Sequence, residues 1–444
     1  MRSEFERLLA DPGCPACRHI AESERNFLSW FEIESHTSPE MQAELRRAMG
    51  MCPAHTRRLL GTLGAGDILT IVMREAVAGA RRATNEEVQV GPCPACASVE
   101  FGNRRARTLL IDSLQDQGLA RRYAEHGGVC LVHLVDALPA GEPATLKLLA
   151  ERLLASLHDQ VGSDLVHLLA GGDADARRRA MWRDRLPALS YAGSTVERLS
   201  ERLEIEACPV CLAAGVAERD YFGWLFEDPA GDDPSAGEDP GELCPSHLHD
   251  LAHAESSPAA YRAVQRKRSA RIAQLDRFLA RLAEVPTPDR RRWRTNHHHA
   301  LDRVRDELCA TPYCPACHAR DGVEGAQRDL MTVSLGLPAV RERYERSHGL
   351  CVRHAMGLAE SPAARVVRHH LDGRLALIAW EVHETARKYA WAFRHESSGS
   401  EQRGRVCGMA QIDGRVFAGG PAPLGGHGVA QTGPLEGCGD DGND

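Results

Sequence analysis

The sequence predicts an all-α protein made of tandem duplicated helical-hairpin repeats, each closed by a Cys3His zinc site. Three observations carry that expectation. A Cys-Pro-x-Cys tetrapeptide occurs four times, and each copy is followed 32 to 34 residues later by Cys-x-x-His. Ala, Leu, Arg and Glu dominate the composition while aromatic residues make up only 5%, a mixture that favours helices. Apolar residues recur every three or four positions, and no convincing run of alternating β-branched residues breaks the pattern.

The first element follows from Cys14-Pro15-Ala16-Cys17. Proline at the first helical position loses no hydrogen bond, so a helix is expected to start there with Cys14 as its cap. Both sulfurs then lie beside free backbone N–H groups, which favour thiolate over thiol. The same reading applies at Cys93/Cys96, Cys208/Cys211 and Cys314/Cys317. The later couplets, Cys52/His55, Cys130/His133, Cys244/His247 and Cys351/His354, are expected to open a second long helix after a short hairpin connection. Two apolar stripes fit such helices: Leu146, Leu149, Leu153 and Leu157, and then Val367, Leu371, Leu375, Ile378 and Val382.

Taking each early couplet with the next late one gives four sets: Cys14, Cys17, Cys52 and His55; Cys93, Cys96, Cys130 and His133; Cys208, Cys211, Cys244 and His247; Cys314, Cys317, Cys351 and His354. Three thiolates and an imidazole form the soft, four-coordinate sphere of a closed zinc site, so four Zn²⁺ per chain are expected. An iron–sulfur cluster, or a redox pair of the Cys-x-x-Cys kind on a thioredoxin-like scaffold, are the other readings; the latter needs a strand and a βαβ context that are not visible. Cys407 and Cys438 have no partners at ligand spacing; Cys309, five residues before Cys314, could compete as a ligand but reads as an unliganded thiol. The run His297 to His299 reads as a polar segment, since adjacent residues on a helix diverge.

The repeats alternate in kind. ERNFLSWFE after Cys17 answers ERDYFGWLFE after Cys211, placing Trp30 and Trp224 at matched core positions. RRYAEHGGVCLVH answers RERYERSHGLCVRH, with Tyr123 and Tyr344 each seven residues ahead of the cysteine and expected beneath the turn that delivers it. The order A-B-A-B implies a duplicated two-site ancestor. The expected organisation is a first half over 1–175, a second half over 176–395 and a disordered Gly/acidic tail over 396–444.

The chain of 444 residues carries a net charge of −8, which argues against nonspecific attraction to nucleic acid despite the clusters Arg177 to Arg179 and Arg290 to Arg294. No uninterrupted apolar stretch of membrane-spanning length and no secretion signal are present, so a cytoplasmic protein is expected. Full protein ligation leaves no open position for a catalytic water and points away from an enzyme. The function expected is a scaffold or adaptor for another protein; the alternatives are a thiol-based redox sensor or metal-handling protein and, behind both, a nucleic-acid-binding regulator.

The motifs CPAC…GMCPAH, CPAC…GVCLVH and CPAC…GLCVRH, with ARKYAWAFRHE after the last stripe, resemble a bacterial family of cytoplasmic proteins of unknown function. The resemblance spans residues 10 to about 400 in two copies and implies metal binding by the couplets and a helical architecture. It implies no activity. The third repeat departs from it, with Glu242-Leu243 in place of Gly-x before Cys244 and an acidic Pro/Gly insertion over 228–242.

Overall fold

The computed structural model describes residues 2–10, 13–60, 65–86, 89–126, 128–170, 196–205, 207–227, 243–244, 247–248, 258–284, 314–393 and 395–414. Every regular element among them is a helix. After α1 (Arg2–Leu8), the first repeat forms α2 (Pro15–Ile33), α3 (Pro39–Arg47), α4 (Pro53–Leu60) and α5 (Ala65–Asn85). The second forms α6 (Pro94–Ser113), α7 (Gln117–His126), α8 (Leu131–Ala137) and α9 (Pro143–Asp159), followed by α10 (Gly162–Ala170). Then α11 (Val196–Leu203) leads into the third, with α12 (Pro209–Glu227) and α13 (Pro258–Glu284). The fourth comprises α14 (Pro315–Ser334), α15 (Pro338–Arg346), α16 (Val352–Met356) and α17 (Ala364–Tyr389), and α18 (Gly404–Asp413) closes the described chain.

The helix starts fall where proline places them: α2, α6, α12 and α14 each begin at the Pro of Cys-Pro-x-Cys. The hairpin expectation is corrected in two respects. An additional helix, α3, α7 or α15, fills what was read as a short connection, and the helix opened by Cys-x-x-His is brief, five residues in α16, before a turn starts the long one. Ser38 explains the first interruption, because its hydroxyl accepts the Met41 N–H at 3.1 Å and caps α3 with Pro39 at the first position.

Glycine sets the second turn. Gly50 and Gly349, each two residues before a Cys-x-x-His cysteine, have φ of +94° and +77°, the left-handed region that Gly enters without a Cβ penalty. A Cβ on Gly50 would also lie 2.8 Å from that of Ala76. The Gly-x-Cys spacing is therefore a backbone requirement in the first and fourth repeats.

Contacts divide the chain into two compact units, and neither follows the halves read from the sequence. One contains Met1–Arg25, Val99–Ala180 and Tyr221–His318; the other contains Asn26–Ser98, Met181–Asp220 and Ala319–Asp444. The core of the first unit is centred on α9 against α13. Leu146, Leu149, Leu153 and Leu157 are all buried there, as are Leu275 and Phe278. The core of the second sets α5 against α17, with α3 and α18 packed on α5. Val367, Leu371, Leu375, Ile378 and Val382 supply its stripe as the periodicity requires. Each buried aliphatic side chain contributes about 1.5–3 kcal/mol.

Residues 396–414 depart from the disordered tail that the composition suggested. The Lys388 ammonium donates to the Ser397 carbonyl at 2.9 Å and to Glu401 at 2.9 Å, and the Thr385 hydroxyl donates to the Glu401 carbonyl at 2.9 Å. Arg387 pairs with both Glu384 and Glu396 and lies over the Phe393 ring at 4.5 Å. Arg387, Lys388 and Glu396 of ARKYAWAFRHE thus fold the chain back along α17. That clasp delivers α18, whose Cys407, Met409 and Gln411 are buried. Residues 415–444 lie outside the described residues, together with Cys438, Cys309, His297 to His299 and the two arginine clusters.

Trp30 is 47% exposed, which corrects its reading as core. Phe31 beside it is the fully buried aromatic of α2. The Trp224 side chain lies outside the described residues. Tyr123 and Tyr344 are both completely buried, as their placement ahead of the cysteines suggested.

Candidate metal centres

The sixteen cysteines and histidines singled out by the sequence gather into four Cys3His groups, with the ligand atoms of each group within 4.8 Å of one another. The partnership is not the one read from the sequence. Site 1 joins Cys14 and Cys17 to Cys130 and His133; site 2 joins Cys52 and His55 to Cys93 and Cys96. Site 3 joins Cys208 and Cys211 to Cys351 and His354; site 4 joins Cys244 and His247 to Cys314 and Cys317. Adjacent repeats therefore exchange couplets. The sequential pairing fails because the early and late couplets of every repeat belong to different compact units; in the first repeat α2 alone, nineteen residues long, runs about 28 Å from its Cys-Pro-x-Cys.

Helix ends build each group. The carbonyl of the first cysteine in every couplet accepts the N–H four residues on: Arg18, Ala97, Leu212 and His318 after Cys-Pro-x-Cys, and Thr56, Leu134, Leu248 and Ala355 after Cys-x-x-His. Each couplet thus occupies the first turn of a helical segment, and two positive helical ends meet at each group. All four histidines turn Nδ1 toward the sulfurs and are at least 93% buried, as exposures of 6%, 7%, 2% and 2% for His55, His133, His247 and His354 show.

The distances suit a tetrahedral ion. Zn–S bonds of about 2.3 Å and Zn–N bonds of about 2.0 Å at tetrahedral angles require S···S near about 3.8 Å and S···N near about 3.5 Å. The measured S···S separations are 3.6 Å for Cys17–Cys130, 3.5 Å for Cys52–Cys96, 4.0 Å for Cys211–Cys351 and 3.8 Å for Cys244–Cys317. The S···Nδ1 separations run from 3.1 Å at Cys130–His133 to 3.7 Å at Cys93–His55.

The electrostatics of the thiols point the same way. In site 1 the hydrogen bond from Cys130 holds the Cys17 thiol far below its ordinary range, while hydrogen bonds to Cys14 and Cys17 push Cys130 far above it. Cys52 likewise drives Cys93 down and Cys96 up. In site 4 Cys244 lowers the Cys314 thiol to about 3 and is itself raised by Cys314. In each of these groups one sulfur is favoured as thiolate at a neighbour's expense, since adjacent thiolates repel. A divalent cation at the centre removes that conflict and lets all three ionise.

Sequence reasoning missed two contributors. The Glu324 carboxylate lies 3.2 Å from His354 Nε2 and accepts from the Arg353 guanidinium at 2.7 Å, so a carboxylate faces the outer nitrogen of the site 3 imidazole. Such a contact fixes the tautomer that presents a bare Nδ1 to a metal. Its signal was present: the residue ten positions after the first Cys of each Cys-Pro-x-Cys is Glu24, Asn103, Glu218 or Glu324. Gly414 is the second contributor. At φ +71° it ends α18 against site 3, where a Cβ would lie 2.5 Å from both Cys211 Sγ and Cys351 Sγ. Tyr344 supports the same site by accepting the Leu350 N–H at 3.4 Å.

Comparison of the chain with protein-family models, with curated proteins and with solved structures returns no match. The helical fold and the four Cys3His groups rest on the molecule itself.

Proposed function

We propose that the protein binds four structural Zn²⁺ ions, one in each Cys3His group, and serves as a non-catalytic cytoplasmic scaffold or adaptor for another protein. The observation that carries the metal reading is the convergence of three sulfurs and one Nδ1 within 4.8 Å, four times over. Zinc suits this donor set, because thiolates and imidazole select it over hard cations. A sphere filled by four protein ligands supplies stability instead of an open Lewis-acid position. No described helix is long and apolar enough to cross a bilayer.

Elemental analysis of purified full-length protein tests the reading. About four zinc ions per chain are expected from four groups; one or none overturns it. A second reading, a thiol-based sensor or metal-handling protein, is favoured at site 2, whose Cys52, Cys93 and Cys96 are all partly exposed. Zinc release under mild peroxide with recovery on reduction would select it. Retention of all zinc would leave the scaffold.

A further inference from the structure

An open cleft of about 970 Å³ lies between α15 and the first half of α17 in the second unit. Four arginines line it, Arg341 and Arg346 from α15 and Arg365 and Arg374 from α17, with Arg341 Nε donating to the Leu335 carbonyl at 3.2 Å, against a single lining acidic residue, Glu345. In a chain of net charge −8 such a concentration runs against the overall balance. Arg365 forms no ion pair among the described residues, and the Arg346 pair with Glu342 at 3.2 Å joins two exposed side chains, which contributes little. The remaining wall is apolar or neutral. Pro362, Val366 and Leu377 line it, and the His370 ring sits 4.7 Å from that of Tyr344. Burial, with Arg374 nearby, lowers the His370 pKa to about 4 and keeps the ring uncharged near neutrality.

The geometry points to a binding site for a phosphorylated small molecule that carries at least two phosphate charges and an organic moiety of about nucleoside size. Guanidinium groups recognise phosphate through paired N–H donors, and several on facing walls suit a multiply charged group. The volume exceeds what a bare anion occupies and falls among the roughly 300–1,000 Å³ of small-molecule sites. The apolar wall and the His370 ring offer a surface for the organic part. The second repeat has no counterpart, because Leu149, the same nineteen residues beyond its cysteine as His370 is beyond Cys351, is fully buried. The cleft also adjoins site 3, since the His370 ring fills the space where any residue but glycine at 349 would place its Cβ.

Calorimetric titration of the full-length protein at low ionic strength with ADP, pyrophosphate and inorganic phosphate tests this. Saturable binding of ADP with Kd below about 1 mM is expected, with pyrophosphate weaker and phosphate weakest. The double variant R341A/R365A replaces exposed side chains and is expected to weaken ADP binding at least about tenfold, with zinc content and helicity unchanged. Absence of saturable ADP binding, equal affinity for ADP and phosphate, or undiminished affinity in the double variant each overturns the assignment. Zinc content measured on the same samples tells a failure of this site from a failure of the metal reading.

Discussion

Sites 1 and 3 join couplets far apart in the chain, whereas sites 2 and 4 join near ones. The contacts of site 1 span 113 to 119 residues between couplets and those of site 3 span 140 to 146; sites 2 and 4 span 38 to 44 and 67 to 73. Three of four ligands are buried in sites 1 and 3, against one in site 2 and two in site 4. The distant groups are therefore the more buried and close the longer loops. One motif, repeated four times, produces two kinds of cross-link according to which couplet it meets.

The largest effects test that contrast directly. Cys130→Ser and Cys351→Ser are each expected to remove one zinc and destabilise the surrounding unit by several kcal/mol, because metal binding is on the order of a whole domain's stability. Cys52→Ser removes one zinc at smaller cost. Loop length alone makes the distant cross-links worth about 1 kcal/mol more. Thermal melts with zinc counting decide it, and equal losses for Cys130→Ser and Cys52→Ser break the comparison. In the unmodified protein a chelator is expected to remove zinc in a fast phase from sites 2 and 4 and a slower one from sites 1 and 3. A single rate for all four ions contradicts the difference in burial.

Smaller effects separate site 3 from the rest. Gly414→Ala forces a left-handed residue and places a methyl group 2.5 Å from two sulfurs. It is expected to loosen site 3 alone, read as faster release of one zinc in four. Glu324→Gln keeps an acceptor for His354 but removes the charge, and zinc at site 3 is expected to bind about tenfold more weakly in chelator competition. Tyr344→Phe removes only the acceptor of the Leu350 N–H. About 1 kcal/mol of stability is expected to go with it, with zinc stoichiometry unchanged.

Much of this was legible in the sequence. Proline after the first cysteine fixed four helix starts, the leucine stripe of α9 and the aliphatic stripe of α17 announced two core helices, and every member of the metal groups was identifiable by spacing. The partnership was not. Four early and four late couplets with similar intervals leave the matching open, and only the folded chain, which puts the two couplets of each repeat in different units, decides it. The extra helices escaped notice because nine residues such as Pro39–Arg47 look like a connection until Ser38 is recognised as their cap. The 396–414 segment was misread from its glycines, while the Arg387 and Lys388 contacts that tie it down join residues 9 to 13 positions apart across a turn. Glu324 was overlooked because it acts on a histidine thirty residues away and belongs to no couplet.

The exchange of couplets between adjacent repeats is the claim on which the rest depends. An anomalous-difference map of the crystallised protein at the zinc edge tests it most directly. The expected result is four peaks, one of them bonded at about 2.3 Å to Cys14, Cys17 and Cys130 together. A peak shared by Cys14, Cys17 and Cys52 would contradict it.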